Sequence, residues 1–433
     1  MQERFAWSIA ALLFAGSVIN YLDRAVLGVV MPQIRRDLGL TNQQYGWVVY
    51  AFLMAYMSSY IVGGRLADRF GCRRMVALTA GFWSAAGMTH GLVRGLASLS
   101  LVRALLGFGE AAFYPAAMRG VAGWFPPKDR AKAVGLFLSA LSVGTLLAAP
   151  VVTLITGRYG WRASFVLTGS LGFLLLPPWL LLHRRIHAVY GTVDPSPALG
   201  ADHRAGAGVP LALVLRTRKY WCALGARGCS DTAWYFYLFW MPGYFQEVRG
   251  LRLESVGRLL WIPYFAAGLG ALAGAWASSA LIHRGYGLDW GRKAVLVPSA
   301  ALAATGMAVY FVPSPNVAIA VMAVALFGHQ SWSSNIHTAI SEISPPAHVA
   351  VLYGITGAAG TLMGALAQLA IGPAVDAAGY RSVFIGAGLM YVLATVFLFA
   401  AGKIEAIGLP CEARPLPNGR GSVERSLPSG LAK

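Results

Sequence analysis

Phe5-Ala-Trp-Ser-Ile-Ala-Ala-Leu-Leu-Phe-Ala-Gly-Ser-Val-Ile-Asn20-Tyr21-Leu-Asp23-Arg24-Ala-Val-Leu-Gly-Val-Val-Met31 runs 27 residues with a single acid and a single base. At 1.5 Å of rise per residue it makes about 40 Å of helix, more than the roughly 30 Å hydrocarbon core of a bilayer. No small-residue cleavage site interrupts it, so it reads as a first spanning helix and not as a signal peptide.

The rest of the chain repeats this design. Eleven further apolar runs of spanning length follow, near 43–64, 74–93, 97–120, 133–156, 163–183, 219–245, 255–283, 292–312, 315–340, 350–373 and 380–402. The expected fold is an all-α membrane protein of twelve helices in two pseudo-symmetric six-helix bundles. Residues 1–183 form the first bundle, 184–218 a linker on the cytoplasmic side, 219–402 the second bundle and 403–433 a polar tail that does not pack. The linker is expected because Gly191-Thr-Val-Asp-Pro-Ser-Pro-Ala-Leu-Gly breaks regular structure at the midpoint.

Composition agrees. Only 12% of the 433 residues are charged and 57% are hydrophobic, and the mean hydropathy is +0.59. A water-soluble surface needs about 25% charged residues, so a soluble fold is excluded. The net charge of +18 sits in short gaps between apolar runs and not on a basic helix, which argues against nucleic acid as a partner. The heavier basic gaps hold Arg65, Arg69, Arg73, Arg74; Lys128, Arg130, Lys132; the linker; and Arg284, Arg292, Lys293. Positive charge stays on the cytoplasmic side, so both termini are expected there, in a bacterial inner membrane. Cys72, Cys222, Cys229 and Cys411 form no CxxC pair and read as reduced.

The chemistry lies in the few ionisable residues inside these helices, each of which costs roughly 2.5–3.5 kcal/mol to insert and needs a partner, water or a task. The first helix holds Asp23 and Arg24, and the fourth holds Arg103 and Glu110, seven residues and two turns apart on one face. They either neutralise one another structurally or form a proton and anion site. The second reading is preferred: an arginine never deprotonates and grips a carboxylate with a planar fork. In the tenth helix, Trp332 offers a flat ring for a sugar face, and Gln330 and Asn335 offer hydrogen bonds to hydroxyls; interhelical contacts are the alternative. Asp231 falls near the start of the seventh helix, before Trp234-Tyr-Phe-Tyr-Leu-Phe-Trp240, which could equally be an interfacial aromatic belt.

Gly268-Leu-Gly270-Ala-Leu-Ala-Gly274 lies inside an apolar helix with no preceding strand, so it reads as close helix packing. No Gly-Lys-Ser/Thr phosphate loop exists, and the eight histidines show no ligand spacing. No cofactor, metal, ATP-driven transport or catalytic residue is expected.

Gly64-Arg-Leu-Ala-Asp68-Arg69-Phe-Gly71-Cys-Arg73-Arg74 resembles the signature loop of the major facilitator superfamily, in which the acid and arginines latch the two halves on the cytoplasmic side. A second copy after the eighth helix is degenerate, with Ser279 about where an acid stands in the family. Over residues 5–402 the chain looks most like hexuronate transporters of the anion:cation symporter group. That resemblance rests on Asn20-Tyr-Leu-Asp-Arg24, Arg103-Ala-Leu-Leu-Gly-Phe-Gly-Glu110, Trp124-Phe-Pro, Tyr235-Phe-Tyr-Leu-Phe-Trp240, Trp261-Ile-Pro263 and Gly328-His-Gln-Ser-Trp332. It implies proton-linked carboxylates at Asp23 and Glu110, support from Arg103, and substrate contacts at Tyr21, Arg24, Tyr56 and Trp332. The chain departs from the family at Phe137-Leu138-Ser139-Ala140, where an amide is missing, at Gly243 in place of a lysine, and at Gly354-Ile-Thr356-Gly357.

The expectation is a monomeric, proton-coupled importer of a monocarboxylate sugar such as glucuronate or galacturonate, working by alternating access. The alternatives are a carrier of another carboxylate, a drug antiporter of the same fold, and a nutrient receptor that does not transport.

Overall fold

The computed structural model describes residues 2–125, 127–190, 211–345 and 348–407. The linker core 191–210, the tail beyond 407 and the Asp68 side chain lie outside the described residues. Nearly everything described is helical, and no strand occurs among the described residues.

Two glycines set the helix count. The chain from Asn42 to Thr89 is continuous helix except at Gly71, and that from Pro127 to Tyr190 is continuous except at Gly160. Their φ values of 77° and 79° lie in the left-handed region, where a Cβ is penalised and glycine is not. A single residue therefore reverses the chain between two rods. Divided there, and with short flanking turns joined to their neighbours, the described residues give twelve rods. They are α1 (Gln2–Leu38), α2 (42–70), α3 (72–89), α4 (96–124), α5 (127–159), α6 (161–190), α7 (Arg218–Glu247), α8 (253–283), α9 (288–310), α10 (Pro315–Ile343), α11 (Val349–Ala378) and α12 (Tyr380–Ala400).

Among the described residues, eight helical stretches are long and apolar enough to cross a membrane on length and composition alone, one of them covering both α5 and α6 across the Gly160 turn. The stretch holding α2 and α3 and the stretch forming α7 fall outside that set. The first carries the basic cluster around Gly71, and the second buries Arg227, Tyr235, Tyr237 and Tyr244 inside the protein, where polar groups cost less than against lipid. Leu101, Leu154 and Trp276 lie outside the cavity and are largely exposed, as a lipid-facing surface requires.

The signature stretch is not a loop. Residues 64–70 complete α2 and 72–74 open α3, so its arginines stand on helix ends around the Gly71 turn. Gly64 has open space beside it, and Arg69 and Arg74 are exposed.

The two six-helix halves meet chiefly through α1 with α7, α2 with α11, and α5 with α8. Their polar contacts gather at one end of the bundle. Gln33 donates to Gln246 at 3.2 Å, Arg35 pairs with Glu247 at 3.1 Å, and the Tyr45 hydroxyl donates to the Phe239 carbonyl at 2.9 Å. Asp376 of α11 accepts from the Asn42 side chain at 2.7 Å and from the Gln43 backbone amide at 2.9 Å. This end is sealed. The cavity lining continues along α2 to Tyr60, one turn from Gly64, so the cleft runs toward the end that carries 64–74.

Candidate substrate cavity

A cavity of about 760 Å³ lies between the halves, within the range of small-molecule sites. Tyr21, Arg24, Tyr56, Tyr60 and Tyr114 line it from the first half; Arg227, Asp231, Tyr235, Gln330, His337 and Tyr353 line it from the second.

Arg24 is held by its own half. Its Nε and Nη2 reach one oxygen of Glu110, at 3.0 and 2.9 Å, and Nη2 also donates to the Asn20 side chain at 3.2 Å. The plane of the guanidinium is held by aromatic rings: its carbon lies 4.6 Å from the Tyr56 centroid and 4.8 Å from that of Tyr21. Such cation–π contacts fix the direction of the fork as well as its charge. Nη1 makes no hydrogen bond among the described residues, which leaves one donor edge for a ligand.

Behind this wall lies a second, drier layer. Asp23, Arg103 and Glu110 do not line the cavity; their exposures are 3%, 0% and 2%. Arg103 sits 4.6 Å from the centroid of Phe52, whose ring also lies 5.7 Å from Arg24, so two guanidinium groups share one ring. None of the three guanidinium nitrogens of Arg103 has a hydrogen-bond partner, and the Asp23 carboxylate has only the Thr168 hydroxyl nearby, outside ordinary hydrogen-bond geometry. Buried charged groups left so poorly paired are rare in structures and mark groups with a task. Arg24 is thus the link between the cavity and the buried acids.

The tenth helix corrects the sequence reading. Gln330 lines the cavity, but Trp332 and Asn335 do not. Trp332 is fully buried, edge-on to Tyr391 of α12 at 6.4 Å, and Asn335 bonds to the Ser331 carbonyl at 3.0 Å and to Arg292 at 3.5 Å. The reason is helical phase. At 100° per residue, positions 330, 333, 334 and 337 share one face, while 332 lies about 200° round from 330.

The seventh helix corrects it again. Asp231 is mid-helix and on the cavity, not near a membrane boundary. Tyr235 through Trp240 are buried, so they are packing and lining residues and not a belt in contact with headgroups. Arg227, one turn before Asp231, escaped the sequence reading altogether. Its Nε donates to Asp231 at 3.3 Å and its Nη1 to the Thr356 hydroxyl at 3.0 Å, with the Tyr353 ring 5.1 Å away. The signal was present: an arginine and an acid four apart, inside an otherwise uncharged span.

Among the described residues, Arg65, Arg69, Arg73 and Arg74 make no hydrogen bond or ion pair with the second half; Arg73 instead offers its carbonyl to Trp179 at 3.0 Å. At the matching place in the second half, Arg292 chelates Glu342 at 2.6 Å and donates to Ser278 at 2.7 Å. Ser278, beside the expected Ser279, is therefore the residue facing that arginine.

Comparison with known proteins agrees with this architecture. Residues 13–368 match the family described as the Major Facilitator Superfamily. The hexuronate transporter of Escherichia coli (strain K12) is 27% identical over 387 residues, 87% of this chain and 89% of that protein. The "Probable galactarate/D-glucarate transporter" of Bacillus subtilis (strain 168) is 27% identical over 426 residues, 93% of each chain. Among solved structures, a bacterial homologue of the human lysosomal transporter Spinster superposes with a TM-score of 0.75 at 19% identity, over 92% of this chain and 97% of that one. Two helical halves around a central cavity and a match across most of the length place this chain in the Major Facilitator Superfamily, as a multi-pass membrane transporter and not an enzyme.

Proposed function

We propose that the protein is a proton-coupled transporter of sugar acids, hexuronates among them, with the open end of the cleft facing the cytoplasm and both termini on that side. The sugar-acid class is taken from the names of its relatives, and the orientation from the basic residues around Gly71. The observation that carries the mechanism is the 2.9 Å Arg24–Glu110 pair in the cavity wall.

A substrate carboxylate and the Glu110 carboxylate compete for one guanidinium. Protonating Glu110 removes the competitor and frees the fork, so proton binding and anion binding favour each other, which is the thermodynamic content of symport. The pairing also keeps the empty, deprotonated carrier neutral at this point, with Glu110 as the counter-charge of Arg24. Asp23, buried near the Thr168 hydroxyl and in the field of Arg103, is the second acid in the path. Tyr21 and Tyr56 hold the arginine in register and offer aromatic faces to the sugar ring.

The test is Glu110→Gln in proteoliposomes with an imposed inward proton gradient. Gln mimics the protonated acid, so uphill accumulation of labelled galacturonate should vanish while exchange of internal for external substrate continues. Accumulation that persists and still collapses with an uncoupler would remove Glu110 from the coupling path.

A further inference from the structure

We infer that Arg227, with Thr356 and Tyr353, forms a second anion-binding site on the opposite wall of the cavity, and that it takes the distal carboxylate of a dianionic sugar acid. This rests on the sugar-acid reading above and goes beyond it, because one arginine suffices for a hexuronate.

The two walls are built alike. α1 and α7 are the first helices of their halves and pack against each other. Each sends one arginine into the same cavity. Each arginine is bound to an acid of its own half, Glu110 at 2.9 Å and Asp231 at 3.3 Å. Each lies against tyrosine, 4.6 Å from Tyr56 and 5.1 Å from Tyr353. Arg24, Arg227 and Tyr235 all line the one cavity, so the sites face one shared volume and not separate chambers.

Arg227 is more than a helix-packing residue. Its Nε and Nη1 are used by Asp231 and Thr356, while Nη2 makes no hydrogen bond among the described residues. Gly357 of α11 keeps the space beside that nitrogen clear: a Cβ there would lie 3.4 Å from Nη2. His337 lines the same region, and its Nε2 is buried with no partner. A free guanidinium edge, a gap left by glycine and an unpaired imidazole nitrogen converge where a second carboxylate or its neighbouring hydroxyl would sit. A ligand that offers only a neutral hydroxyl or aldehyde there leaves a buried cation less well paired than a carboxylate would, and such unmet polar demand discriminates strongly between ligands.

Galactarate and galacturonate form the decisive pair, since they share the configuration of their four internal carbons and differ at the second terminus, a carboxylate in one and an aldehyde, closed to a ring hemiacetal, in the other. Both would be followed as labelled substrates in proteoliposomes, and by ligand-induced thermal stabilisation of the detergent-purified protein. The wild type should take galactarate with a KM at least tenfold below that for galacturonate. Arg227→Gln should raise the galactarate KM at least tenfold and leave that of galacturonate within about twofold; Arg227→Lys should recover part of the loss. If Arg227→Gln fails to fold, Gly357→Ala, which fills the gap beside Nη2, should weaken galactarate selectively. Equal KM values in the wild type, or equal losses for both acids in the variants, would overturn the second site while leaving the sugar-acid reading intact. Failure of both acids to bind or move would remove the sugar-acid reading, and the second site with it.

Discussion

Arg24 shows how much one side chain can be asked to do in this protein. It faces the cavity, holds Glu110 and is clamped between the rings of Tyr21 and Tyr56. A lysine would keep the charge and lose both the fork and the stacking surface. Arg24→Lys should therefore raise the KM for galacturonate at least tenfold, in keeping with the roughly 1.5–3 kcal/mol carried by a hydrogen bond to a charged group. Initial uptake rates over a range of substrate concentrations would read it, and an unchanged KM would assign carboxylate recognition elsewhere. Trp332 makes the opposite point. Its type suggested a sugar platform, yet it spends its surface on Tyr391. Residue type names what a side chain could do; helix phase decides whether it can reach the substrate.

At the scale of the element, α2 is held at its start by two kinds of cap. Thr41 and Gln44 form a capping box within the chain, the ordinary way to satisfy the first amides of a helix. Asp376, from α11 of the other half, adds bonds to Asn42 and Gln43. An acid at a helix N-terminus also meets the positive end of the helix dipole. Because Thr41 remains, Asp376→Ala should leave α2 folded and weaken only the seal. The loss of a cap is worth about 1 kcal/mol, or roughly a fivefold shift in population. A cysteine introduced at Gln33, on the sealed end, should react several-fold faster with a bulky maleimide in the Asp376→Ala background. Unchanged reactivity would mean that the Arg35–Glu247 and Tyr45–Phe239 contacts hold the seal without it.

For the whole molecule, the distribution of contacts defines the state. Polar bonds between the halves cluster around residues 29–45, 239–247 and 376, while the end bearing 64–74 is open. Alternating access requires that this asymmetry reverse around the cavity. Gly64 has no neighbour beside it, and the described native cysteines Cys72, Cys222 and Cys229 are buried. Gly64→Cys should thus be labelled by a membrane-impermeant maleimide in inside-out vesicles and spared in intact cells. The reverse pattern would invert the proposed orientation.

The membrane fold, the helices and the acid–arginine set in α1 and α4 were legible in the sequence because each depends on local quantities. Spanning length, hydropathy and the cost of burying a charge are properties of a segment and its solvent. Tertiary structure decided what depends on rotation and on meeting. It put Asp23, Arg103 and Glu110 behind the cavity wall and Arg24 in it, turned Trp332 and Asn335 away, and brought Arg227 of α7 to Thr356 of α11 across 129 positions. A buried charge announces itself along the chain; the partner that satisfies it is found by packing, because the low-dielectric interior rewards only groups placed within hydrogen-bond distance.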